Sequence, residues 1–443
     1  MTASASLLFA FRLLFPRTGK KSNARRSLVG ATVCIGISLV PLVMVLAVSD
    51  GMIKGITDRM IGLSSAHVRC TVSNGSEETK SAASLLALSE KISALPSVTY
   101  SFAEIEGIAL ASSSSKRTGA TVRAVSESIF EKNESFRTLL EVCDGEKAFS
   151  SERSAVIGKK LAETLSLSVG DTIRLVTIRA SNGESRALRP KITPFKVSGI
   201  VSSGYQELDA LWVFIPLEAG FEILPSSSSR FLIGSECADP FSIELEKAFR
   251  EIERVIPPNS RVQRWSQLNS AEYENFSSTR ILLLFIMLLI VLVASVNISS
   301  ALVMLVMERR KEIAILKSLG ASNAGIAFSF LLSGMTCGAT GVLAGIPTGL
   351  LCAVNFKPIM DKIEQAVNIF AEFFAAILHG SGADFSHINL LDPAFYLQHI
   401  PVSIPLPHLC VISAGTIALS LLVSVLPALK AGAEKPIETL RKM

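Results

Sequence analysis

Four long stretches of this 443-residue chain contain no Asp, Glu, Lys or Arg: Ser27 to Val48, Ile281 to Met307, Ile326 to Val354 and Leu409 to Leu429. About 20 uncharged residues suffice to cross roughly 30 Å of hydrocarbon as a helix, so four such gaps exclude an ordinary soluble globule. Cysteine is sparse and badly spaced for chemistry. There are seven, with no C-x-x-C; Cys34, Cys337, Cys352 and Cys410 fall in or beside the uncharged runs, leaving only Cys70, Cys143 and Cys237 elsewhere. That excludes a disulfide framework and a structural zinc site. No phosphate-cradling G-x-x-x-x-G-K-[ST] occurs, since Gly19-Lys20 and Gly158-Lys159 are each followed by another lysine, and neither H-E-x-x-H nor G-x-S-x-G is present. The five histidines have no ligand spacing, and a net charge of +5 from 43 basic and 38 acidic residues gives no basic stripe for nucleic acid. No catalytic residue, metal site or cofactor is assigned to the chain, so any energy source is expected in another subunit.

What remains is a membrane protein with four transmembrane α-helices, at 27–48, 281–307, 326–354 and 408–429. Lys and Arg in the short flanks set its direction. Residues 1–26 hold six basic residues and no acid, 308–325 hold Arg309, Arg310, Lys311 and Lys317, and the tail 430–443 holds four more. Loop 355–407 has two lysines against five acids. The positive-inside rule then puts both termini and 308–325 in the cytoplasm, with 49–280 and 355–407 on the far side. The first run is longer than a signal-peptide core and lacks an A-x-A-like site, so it reads as a retained anchor. Before it, Ser6 to Phe15 reads as an amphipathic segment lying in the cytoplasmic interface.

Segment 49–280 balances 27 basic against 29 acidic residues, as a folded water-facing domain does. Strand patterns at Thr172 to Ile178, Phe195 to Val201 and Leu211 to Ile215, and helix patterns at Ser84 to Leu95, Lys159 to Leu165 and Glu244 to Val255, predict an α+β domain between helices 1 and 2.

The loop 308–325 is the most specific stretch. It opens on Glu308, Arg309, Arg310, Lys311 and Glu312, continues with Ile313, Ile315, Leu316, Lys317 and Leu319, and stops at Gly320, a favourable C-cap. A short helix offering apolar anchors ringed by charge suits a groove on a partner; a topology marker would need only the basic turn.

From Asn297 through Met307 and on through Glu308-Arg-Arg-Lys-Glu-Ile-Ala-Ile-Leu-Lys-Ser-Leu-Gly-Ala-Ser322 the sequence closely resembles the second membrane helix and coupling helix of the lipoprotein-releasing permeases, the LolC/LolE family of the MacB/FtsX-like superfamily. The resemblance extends to Leu46-Ala-Val-Ser-Asp-Gly51, Val156 to Ala162, Val169-Gly-Asp171, Phe195 to Val201, Ser203-Gly-Tyr-Gln-Glu-Leu-Asp209, Asp392-Pro-Ala-Phe-Tyr396, Ile400-Pro-Val402, Pro427 to Ala431 and Pro436 to Arg441. It implies a MacB-like permease that pairs with a second permease, a paralogue or itself, and binds LolD-like ATPase subunits through Glu308 to Ala321, with Ile313, Leu316 and Leu319 as anchors. ATP and Mg would be used by that ATPase, and the resemblance implies a place in the bacterial inner membrane. Lipoproteins would leave the membrane lipids through a cleft at the outer ends of helices 1 and 2, for which Met44, Val45, Val48, Met52, Ile56, Ile281, Leu284, Phe285 and Leu288 are candidates; lipid contact or bundle packing is the alternative for each. In position, Arg179 to Lys191, with Arg179, Asn182, Gly183, Arg186, Leu188, Arg189 and Pro190, resembles the hook that engages a LolA-like periplasmic carrier, and a plain solvated hairpin is the alternative. Competing functions are an FtsX-like signalling permease and a MacB-like exporter of peptides or toxins. Gly341, Gly345 and Gly349 form a small-residue stripe on helix 3, expected to pack closely.

Overall fold

The computed structural model describes residues 23–180, 188–379, 402–404 and 406–433. The amphipathic segment at Ser6 to Phe15, the Asp392-Pro and Pro436 elements, and Asn182, Gly183 and Arg186 lie outside them. The described residues form two compact units, one within 52–275 and the other made of the rest.

Along the chain come helix α1 (Asn23–Arg59), which runs into a π-helical turn at Met60–Ser65; strand β1 (Val68–Val72); α2 (Ala82–Ser93); β2 (Tyr100–Ser112); β3 (Arg117–Val125); β4 (Glu141–Gly145); β5 (Ser154–Gly158); α3 (Lys159–Leu165); β6 (Thr172–Ala180); β7 (Leu188–Ser202); β8 (Trp212–Pro216); β9 (Arg230–Glu236); α4 (Ile243–Val255); β10 (Arg261–Arg264); α5 (Ser270–Glu308); α6 (Arg310–Ser318); α7 (Asn323–Val354); α8 (Phe356–His379); and α9 (Leu406–Ala433). Helices α1, α5, α7 and α9 are long and apolar enough to cross a membrane. The helix patterns read at 84–95, 159–165 and 244–255 correspond to α2, α3 and α4, and the strand patterns to β6, β7 and β8.

The 52–275 unit is built on a ten-stranded sheet in the order β10-β1-β9-β2-β3-β8-β5-β7-β4. Strand β6 pairs with both β2 and β7, so β2-β3-β8-β5-β7-β6 closes into a ring. One face of these strands buries Ala109, Ala111, Ala120, Val122, Ile157, Leu175, Phe195 and Val213, small residues alternating with large so that side chains fill the ring. The opposite face carries an aromatic cluster of Phe102, Phe130, Phe136, Trp212 and Phe214, packed largely edge to face and closed off by Leu63 of the π-helical turn.

In the other unit α7 is central. A Cβ on Gly341, Gly345 or Gly349 would meet Ile35, Leu39 or Val43 of α1 at 2.7–2.8 Å, so this stripe holds the close approach of α1. A second pair, Gly334 and Gly338, lies against Ser424 and Ser420 of α9. Gly345→Leu is expected to force α1 away and destabilise the chain by about 1–3 kcal/mol, the usual range for overpacking. Gly415→Ala, with open space around it, should be neutral. Thermal unfolding in detergent compares the two, and equal midpoints would rule the tight contact out.

Candidate functional site

Helix α6 begins where α5 breaks at Arg309, whose backbone leaves the ideal helical region while Arg309 N–H still donates to Leu305 O at 3.0 Å and Ile313 N–H to Arg309 O at 3.0 Å. Its end is fixed by two reversed bonds, Ala321 N–H to Leu316 O at 3.0 Å and Gly320 N–H to Lys317 O at 3.0 Å, with Gly320 at φ +93. This is the Schellman arrangement, which requires a left-handed residue at that position and therefore glycine. Two residues on, Ser322 caps α7 by accepting the Gly325 N–H at 3.2 Å. The Leu-Gly-Ala-Ser322 stretch is thus a stop and a start, and it fixes the angle at which the short helix leaves the bundle.

The nine residues of α6 divide into two faces. Ile313 is 0% exposed and packs into the core shared by α1, α5, α7 and α9, next to buried Ala314. Lys317 Nζ donates to Gly432 O at 2.5 Å, tying the inner face to the last turn of α9. The outer face presents Ile315, 50% exposed, and Leu319, 79% exposed, between Lys311 and Glu312. Glu312 pairs with Arg309. Of the expected anchors, Leu319 faces outward, Leu316 is half-buried, and Ile313 is corrected: it holds α6 onto its own chain. Ile315, which has no place among those anchors, takes the outward position. Glu308 and Arg310 are exposed at the head of the segment.

The expected cleft residues separate. Leu284 and Leu288, with Met287 and Val291, line an apolar groove of about 130 Å³ against Val411, Ile412, Gly415, Thr416 and Leu419 of α9. Ile281 and Phe285 are exposed on α5, Val45 is exposed on α1 and Met44 is half-buried. Val48 is buried, and so is Ile56, which like Met52 belongs to the 52–275 unit. The described groove therefore lies between α5 and α9, and Val48 and Ile56 are taken up by packing.

At the hook, β6 and β7 pair from Thr172↔Lys196 to Arg179↔Arg189 and Ala180↔Leu188, so a hairpin does stand there. Its base exposes Ile178, Pro190 and Ile192 on one face, which continues across β2 through exposed Leu110 and Ile108.

Two networks went unread in the sequence. Arg123 and Glu104 are fully buried and joined at 2.5 and 2.8 Å; Arg123 also donates to Leu63 O at 2.6 Å and stacks on Trp212 at 4.7 Å. Asp209 accepts from Ser202 Oγ at 2.6 Å, Ser203 N–H at 2.7 Å and Ser203 Oγ at 2.7 Å. It thereby orients Ser203 O toward the Arg59 guanidinium at the end of α1. His67 Nδ1 accepts the Cys237 N–H at 3.0 Å and lies 3.4 Å from its thiol. Burial pushes His67 down to about 4 and the Cys237 thiol up to about 11, so this pair stays neutral and is no nucleophile. Among the described residues no cluster of His, Cys, Asp and Glu is grouped to hold a metal.

Residues 28–248 match the MacB-like periplasmic core domain family and residues 284–436 the FtsX-like permease C-terminal family. The lipoprotein-releasing system transmembrane protein LolC of Xylella fastidiosa (strain Temecula1) is 25% identical over 426 residues, covering 95% of this chain and 96% of its own. Its counterpart LolE of Haemophilus influenzae is 24% identical over 425 residues with the same coverage. The chain belongs to the LolC/LolE family of MacB/FtsX-like permeases. The crystal structure of the periplasmic region of MacB from Actinobacillus actinomycetemcomitans aligns with 48% of this chain and 95% of its own at 10% identity, with a TM-score of 0.31. In this LolC/LolE-type permease the α+β domain lies between helices 1 and 2, as expected, and the chain is a multi-pass membrane protein.

Proposed function

We propose that this chain is the permease subunit of a lipoprotein-releasing ABC transporter, extracting lipoproteins from the inner membrane and passing them to a periplasmic carrier. The observation that carries this is similarity to LolC and LolE along 95% of the chain, together with the outward Ile315 and Leu319 pair on α6. The work is mechanical. At up to 0.8 kcal/mol per buried CH₂, one chain of about 16 carbons costs more than roughly 10 kcal/mol to withdraw. A chain without a phosphate-binding loop has to draw that energy from a LolD-like ATPase that holds ATP and Mg, docked on α6.

Both termini and Arg310 then lie in the cytoplasm, with the α+β domain outside. A second permease, a paralogue or a copy of this chain, completes the cleft. The exposed apolar base of the β6–β7 hairpin gives a LolA-like carrier a surface to meet beside the segment carrying Asn182, Gly183 and Arg186. Affinity purification in mild detergent tests the reading: an ATPase and acylated proteins should co-purify, and ATP should release those proteins to a carrier. Recovery of a cell-wall hydrolase or its activator without acylated protein would favour a signalling permease instead.

A further inference from the structure

Helix α8 occupies much of what the charge pattern presents only as a loop. It starts one residue after α7 ends: Asn355 alone breaks the helix, with its N–H donating to Leu351 O at 3.2 Å and its carbonyl accepting the Ile359 N–H at 3.1 Å. Because α7 is a membrane-crossing helix and α6 precedes it, α8 begins at the bilayer surface opposite the coupling segment.

At 100° per residue, Phe356, Ile359, Met360, Ile363, Val367 and Phe370 fall on one arc of α8. Asp361, Gln365 and Glu372 fall at the middle of the other. Lys357 and Lys362 sit near its two edges, where an ammonium can reach headgroup phosphates while its stem lies on apolar surface. The apolar arc is half-buried at its start, at Phe356, Ile359 and Met360, and is exposed farther along, at Ile363, Val367 and Phe370, where a soluble amphipathic helix would be covered. The polar arc carries the buried residue, Asn368, which is 9% exposed, with Glu364 half-buried beside it. On the apolar arc Ile363 and Phe370 are 45% and 66% exposed. A face of this kind in water would be an unusual apolar patch, whereas at the end of a span it meets acyl chains.

We infer that α8 is an interfacial helix whose Ile363, Val367 and Phe370 face lies in the headgroup–acyl boundary of the lipid bilayer, fixing the depth at which α7 ends. The ligand is the phospholipid surface itself, in the outer leaflet if the orientation proposed above holds.

Tryptophan quenching by brominated lipid tests this on the full chain. The two native tryptophans, Trp212 and Trp265, are buried in the other unit and supply a constant background. Phe370→Trp and Ile363→Trp permeases would be compared with Gln365→Trp in nanodiscs of phosphatidylcholine with and without dibrominated acyl chains. The expected result is at least twofold loss of the added emission at positions 370 and 363, with little change at 365. Equal quenching at all three positions, or none at 370 and 363, would overturn the inference and assign the face to a protein partner. The measurement needs neither ATPase nor cargo, so a failed lipoprotein-release assay leaves its outcome independent.

Discussion

Leu319→Asp is expected to abolish recovery of the ATPase with the permease while leaving the permease folded. Leu319 is 79% exposed and sits at the C-cap of α6, so the substitution removes no packing from the chain itself. In a docked complex it places an unpaired carboxylate in an apolar groove. A penalty of about 3 kcal/mol, typical of a disrupted interface hot spot, weakens binding roughly 150-fold. Ile313→Asp is the informative contrast. That residue is buried against the membrane helices, and the variant should lower the thermal midpoint of the isolated permease. Co-purification and unfolding measured on both variants separate docking from folding. An undiminished ATPase yield with Leu319→Asp would remove α6 as the transmission site.

The second large effect is expected at Arg123. Arg123→Met leaves Glu104 buried without its cation and Leu63 O without a donor, and breaking one side of a buried pair costs about 3–5 kcal/mol. Because the Arg123 guanidinium lies over the Trp212 ring, the fluorescence of that residue reports the loss directly during urea unfolding of the full chain. The Arg123→Met, Glu104→Met double variant removes both charges together and should recover part of the lost stability. A midpoint unchanged in the single variant would show that the pair contributes nothing to holding the end of α1 and its π-helical turn.

How much of this was legible in the sequence depended on whether one local signal decided the outcome. The four spans declare themselves through missing charge, and Gly320 ends α6 for a reason that local sequence carries. The side Ile313 faces is not legible, because a nine-residue helix with apolar residues on two sides has no single period to follow; only the packed bundle says which side faces inward. Helix α8 does not show in the charges of loop 355–407, although Ile359, Ile363, Val367 and Phe370 mark a helical face. Arg123 gave no signal at all. It stands in an apolar strand, and its partner Glu104 lies 19 residues away, reached diagonally across the β2–β3 ladder rather than at the directly paired position. Likewise, Ser203 to Asp209 stands out as a motif, but its work as a turn lock under Arg59 exists only in the folded chain.

Where α7 meets α9, glycine backbone lies on serine hydroxyl, and those hydroxyls are spent within their own helix. Ser420 Oγ donates to Thr416 O, Ser424 Oγ to Ser420 O, and Ser333 Oγ to Ser329 O. Cohesion at these contacts therefore comes from dispersion between closely fitted surfaces: a Cβ on Gly334 or Gly338 would lie 1.9 or 2.4 Å from the hydroxyl oxygen of Ser424 or Ser420, so each serine seats opposite its own glycine. Such a seam behaves as keys set in keyways. It opposes sliding of α9 along α7, so these two helices shift as one piece when the bundle deforms.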